Sequence, residues 1–103
     1  MKTLDRAWLA MIFPDPEELE EVIAEAIEDI CQQLRELRSA VDEQNVQACR
    51  EIAHRIKGVA ANIGTSYIQA NAVILEEAAA AGDTPLEPLF SRLSDSVDAL
   101  CDA

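Results

Sequence analysis

Apolar residues recur along this chain at three- and four-residue steps, the spacing that lines up side chains on one face of an α-helix. The longest such run is Leu19, Val22, Ile23, Ala26, Ile30, Leu34, Leu37 and Val41. It predicts a helix of about seven turns over 16–41, with Glu17, Glu20, Glu21, Glu25, Glu28 and Asp29 on its other face. A seam of Val46, Cys49, Ile52, Ala53, Ile56, Val59, Ala60 and Ile63 predicts a helix over 46–63. Ile68, Ala72, Leu75 and Ala79 carry another over 66–81. Leu86, Leu89, Phe90, Leu93, Val97 and Leu100 carry the last, over 85–101. Ahead of them, Leu4, Trp8 and Ile12 form the stripe of a short helix over 4–12.

The residues between these runs punctuate them. "FPDPEE" breaks the first helix, and Pro16 with the acids after it suits the first turn of the next. Asn45 is placed to cap the following helix, and Gly64 to stop it. The segment "AGD" ends the fourth helix, and Thr84-Pro85-Leu86-Glu87 reads as a capping box with proline at the first helical position. Four amphipathic helices on short connections predict an all-α, antiparallel up-down-up-down four-helix bundle. The short N-terminal helix would cap one end, and the whole of 1–103 would form one domain.

Composition changes this picture in three ways. Half of the 103 residues are hydrophobic but only 4% are aromatic, so the core must be aliphatic. The net charge of −12 argues against nucleic acid, which is bound largely through Lys and Arg contacts to phosphate. It also disfavours an anionic membrane. No apolar run approaches the length of a membrane span, and Asp5 and Arg6 interrupt any signal-type core, so a cytoplasmic location is expected. Cys31, Cys49 and Cys101 are an odd number without metal-ligand spacing. They read as isolated, reduced packing residues, and no metal or other cofactor is expected. The apolar stripes are used up internally, which predicts a monomer.

One stretch, "AHRIKGVAANIG" over 53–64, departs from the pattern of a structural helix. At about 100° per residue, His54 falls roughly 160° from Ile56, the centre of the seam, and so points outward. Gln47, Arg50, Gly58 and Ala61 share its side, with Lys57 at the edge. Gly58 costs the helix about 1 kcal/mol relative to alanine, a concession that implies close approach, by another protein surface or by a bulky group attached to the imidazole. Arg50, Arg55 and Lys57 are three of only eight basic residues. Arg50 and Lys57 lie one turn either side of His54, within reach of an anionic group carried on it. No serine or cysteine in the stretch pairs with His54, which disfavours hydrolysis.

These residues, followed by "ILEEAAAAGD", resemble the histidine-containing phosphotransfer (HPt) family of multistep phosphorelays. The family's His-x-x-Lys-Gly motif is matched by His54, Lys57 and Gly58, its small residue and helix-ending glycine by Ala61 and Gly64. Its "LE" pair with a later "GD" is matched by Leu75, Glu76, Gly82 and Asp83. The resemblance covers roughly 16–101. It implies that His54 is the phosphorylated nucleophile and that Lys57 neutralises the phosphoryl oxygens. Glu76 would accept from the imidazole Nδ1–H and leave Nε2 to attack, although Glu77 beside it could be the inward residue instead.

The implied partners are receiver domains of response regulators and hybrid histidine kinases, docking over Gln47, Arg50, Arg55, Gly58 and Ala61 and supplying the Mg²⁺. The chain would then be a phosphocarrier rather than an enzyme, because it has no Gly-rich phosphate loop and no room for an ATP-binding domain. Two alternatives stand beside this reading. One is a helical adaptor whose histidine carries no phosphoryl group; the other is a segment of a longer chain that contains its own kinase.

Overall fold

The computed structural model describes residues 4–82 and 84–101, and all the regular structure among them is helical. The elements are α1 (Arg6–Ile12), α2 (Pro16–Asp42), α3 (Val46–Asn62), α4 (Ser66–Ala81) and α5 (Glu87–Cys101). Asp83, the last residue of the "GD" match, lies outside the described residues. Helix α3 packs on α2 and α4, and α5 packs on the same two helices, so the long helices close into a ring of neighbours. Helix α1 leans on α2. Inside the ring lies one aliphatic cluster that includes Ile30, Leu37, Ile56, Leu75 and Leu93, with Phe90 the single buried aromatic among the described residues.

The helix ends follow from local chemistry. Pro16 opens α2 at a position whose N–H has no partner to lose, and the Asp15 carboxylate accepts from Glu17 N at 3.0 Å. Asn45 caps α3 by accepting from Ala48 N at 3.1 Å. Helix α4 ends on Gly82 in the left-handed conformation, φ +80°, which glycine adopts without steric penalty.

Four expectations from the apolar pattern are corrected. In α1 the buried residue is Leu9, whereas Trp8 and Ile12 are 41% and 50% exposed. The Asp5 side chain caps this helix through Trp8 N, so Leu4 precedes the helix and cannot set the register of its stripe. Val46, the first residue of α3, is exposed and leaves the seam to begin at Cys49. The last helix starts at Glu87, two residues later than the capping box implied. A start at Pro85 would put Pro88 at the fourth helical position, where its missing N–H would delete the first intrahelical bond. With Leu86 instead giving its carbonyl to Phe90 N at 2.8 Å, Pro88 falls in the first turn, where no N–H is required. Finally, the cysteines are not all isolated: Cys31 on α2 and Cys101 on α5 have their sulfurs 3.7 Å apart.

The α3–α4 junction sets the relation between the two helices that build the site. Thr65 is fully buried there, and both its N–H and its hydroxyl donate to the Ala60 carbonyl, each at 3.0 Å. Gly64 precedes it at φ +69°, and a Cβ at that position would sit 3.3 Å from both Asp5 Cβ and the Trp8 ring. Glycine is therefore required twice, by the backbone and by the seat of α1. Gly64→Ala is expected to destabilise the protein by about 1–3 kcal/mol, read as a lower urea midpoint with an unchanged m-value.

Candidate functional site

His54 projects from the face of α3 that the core does not use, and its side chain is 64% exposed. Its Nδ1 lies 2.8 Å from Glu76 Oε2 on α4. The other oxygen of the same carboxylate, Oε1, accepts from Lys57 Nζ at 3.0 Å. Glu76 is thus the inward member of the Glu76–Glu77 pair, with Glu77 exposed. One carboxylate therefore serves two side chains that stand one turn apart on the facing helix. Burial would push the Glu76 carboxyl up, but the hydrogen bonds from Lys57 and His54 outweigh it and hold it below the ordinary glutamate range.

At neutral pH Glu76 is accordingly a carboxylate, able only to accept hydrogen bonds. Nδ1 must then carry the proton in that contact. In the neutral ring, Nε2 is left with its lone pair directed away from Glu76. A depressed carboxyl pKa stabilises the fold above the unfolded-state value, and that contribution is lost as pH falls through the folded-state value. The stability difference between the parent and Glu76→Gln should therefore be widest near neutrality. It should shrink as pH drops below about 4.5, measured as urea midpoints across an acid series.

The other predicted residues divide into two groups. Gln47, Arg50 and Arg55 line one shallow depression with Glu51, His54 and Glu76. Gln47 donates to Glu51 at 3.0 Å. Among the described residues, no carboxylate pairs with Arg50 or Arg55, whereas Arg6, Arg38 and Lys57 all have carboxylate partners. On a chain of net charge −12, two guanidinium groups without an ion-pair partner among the described residues offset Glu51 and Glu76 around His54. They make this face less acidic than the rest of the chain. Gly58 is exposed, and a Cβ there would meet nothing within 4 Å. Nothing inside the chain requires that glycine.

Ala61 does not line the His54 depression. It lies in a neighbouring one with Trp8, Ile12, Phe13, Val22 and Ile63. Helix α1 thus adds two exposed apolar side chains, Trp8 and Ile12, beside Ala61, on a surface that the sequence assigned to α3 alone. Lys57 has a carboxylate partner within the chain. In this structure its ammonium is committed to Glu76, so it is held beside the imidazole by an internal partner. The resemblance names Glu76 as the partner of the imidazole, but not as a partner of Lys57. No group of three or more His, Cys, Asp or Glu side chains that could hold a metal ion occurs among the described residues. No described helix is long and apolar enough to cross a membrane.

Comparison with known proteins places the fold. The chain is similar in structure to histidine-containing phosphotransfer protein B (HptB) from Pseudomonas aeruginosa PAO1, with a TM-score of 0.86 and 25% sequence identity. The match covers 95% of this chain and 87% of that one. No sequence among the curated proteins matches it. The family model of the Hpt domain matches residues 17–103, which takes in α2 to α5 and both helices that hold His54 and Glu76. The chain belongs to the Hpt domain family.

Proposed function

We propose that this protein is a histidine phosphotransfer carrier, accepting a phosphoryl group on His54 from a receiver aspartate and passing it to another. The observation that carries this reading is the outward imidazole whose Nδ1 is fixed by Glu76, leaving Nε2 as the accessible nucleophile. In the forward step Nε2 attacks the phosphorus of an aspartyl phosphate. The N–P bond forms as the acyl P–O bond breaks, and the aspartate carboxylate leaves. Nδ1 keeps its proton throughout, and the Glu76 carboxylate faces the positive charge that the phosphorylated ring acquires. The reverse sequence returns the group to a second receiver.

The receiver brings its own Mg²⁺ and the acyl phosphate, so this chain contributes nucleophile, charge and docking surface. Gln47, Arg50, Arg55, Gly58 and Ala61 form that surface, which we extend to Trp8 and Ile12 of α1. Lys57 stands next to the incoming phosphoryl oxygens and is able to exchange Glu76 for them. The ring of helix neighbours fits an antiparallel up-down-up-down bundle within one domain, in which α3 and α4 hold the site rigidly.

The test is to incubate the protein with a panel of phosphorylated receivers and follow acid-labile, base-stable phosphate on it. Label appearing with at least one receiver, matched by loss from that receiver, is the expected outcome. No transfer from any receiver in the panel would overturn the proposal in favour of an adaptor that carries no phosphoryl group.

A further inference from the structure

Beyond the His54 face, the chain brings two thiols together that its sequence keeps 70 positions apart. Cys31 lies midway along α2, half-buried against the core, and Cys101 is exposed at the last turn of α5. Their sulfurs are in van der Waals contact at 3.7 Å. Closing a disulfide needs an approach to about 2.05 Å, and Cys101 stands at the terminal residue of α5. The third cysteine provides the contrast. Cys49 is fully enclosed in the α3 seam, and burial pushes its thiol up from the ordinary value, so it stays an inert packing residue.

We infer that Cys31 and Cys101 are a redox-modification site, a dithiol that closes to an intramolecular disulfide when it meets a low-molecular-weight disulfide such as oxidised glutathione. The exposed Cys101 reacts first. Its thiolate attacks one sulfur of the oxidant, forming a mixed disulfide and releasing one reduced glutathione. The Cys31 thiolate then attacks the Cys101 sulfur, the protein disulfide forms, and a second glutathione thiol leaves. Two protein thiols are oxidised and one small disulfide is reduced, with no other reactant needed. The product ties the end of α5 to the middle of α2 and closes a long loop, the situation in which a cross-link restricts the unfolded chain most. The bond lies on the α2–α5 side of the ring, while His54 stands on α3 facing α4. Oxidation is therefore expected to change stability and leave phosphoryl acceptance in place.

The experiment exposes the full chain to oxidised glutathione, then measures intact mass, free thiols after denaturation and thermal unfolding. The expected result is a monomer lighter by two hydrogens, with one titratable thiol left of the three present. Its melting temperature should rise by at least about 5 °C, reversed by dithiothreitol. Cys31→Ser and Cys101→Ser should each fold normally and acquire a retained glutathione adduct or stay reduced, with no rise in melting temperature. A parent chain that keeps glutathione adducts, forms only disulfide-linked dimers, or shows no gain in melting temperature would overturn the inference. None of these readouts depends on phosphotransfer, so the two proposals fail separately.

Discussion

His54→Gln is expected to abolish phosphoryl acceptance, by at least about a thousandfold, while leaving the fold intact. The imidazole Nε2 is the one side-chain nitrogen on this face that combines a free lone pair with an accessible position, and a glutamine amide offers no comparable nucleophile. The side chain is mostly outside the core, so its removal creates no cavity. Lys57 keeps its own bond to Glu76 at 3.0 Å, which spares the variant an unpaired carboxylate. Melting should accordingly shift by less than the equivalent of about 0.5 kcal/mol. Transfer kinetics with the receiver that labels the parent, set beside a melting curve, check both halves. Label retained at the parental level would remove His54 from the mechanism.

Gly58 yields the second large effect, with opposite signs for stability and function. No atom of the chain lies within 4 Å of a Cβ built there, so a larger side chain enters open space. Replacing an interior helical glycine with leucine should stabilise α3 by about 0.8 kcal/mol, raising the melting temperature by several degrees. The same side chain would stand one turn beyond His54, in the volume that a docked receiver must occupy. A loss of at least about tenfold in kcat/KM for transfer is expected for Gly58→Leu, and a smaller one for Gly58→Ala. Both variants should melt above the parent. Parental transfer rates in Gly58→Leu would mean that the glycine answers to something other than a docking partner.

Much of this arrangement was legible in the residues, and the failures have definite causes. The seams of α2, α3 and α4 were readable because each repeats over about three or more turns, so an error of register would have accumulated visibly. Helix α1 is only 7 residues long, and a pattern counted from Leu4 crossed its cap, which put Trp8 and Ile12 inside in place of Leu9. The start of α5 turned on which of two prolines could afford to lack an N–H. That question is answered by counting hydrogen bonds rather than by recognising a motif. The outward direction of His54 was pure helical arithmetic. Its contact with Glu76 came from the family resemblance alone, and the meeting of Cys31 with Cys101 from nothing in the sequence. Both depend on how separate helices are set against each other, and no spacing along one helix encodes that.

The carboxylate shared between His54 and Lys57 has a thermodynamic consequence. A carrier that gripped its cargo strongly would be a sink, because the next acceptor would have to overcome that grip. Here the nearest ammonium already has an anion at 3.0 Å, and a phosphoryl group on His54 would have to compete for it. Part of what Lys57 gains from the phosphate it loses from Glu76, so the phosphorylated state is stabilised only by the difference. If the chain carries phosphoryl groups as proposed, that would keep the group-transfer potential of the histidine high, and leave the direction of flow to be set by the relative abundance of charged and uncharged receivers.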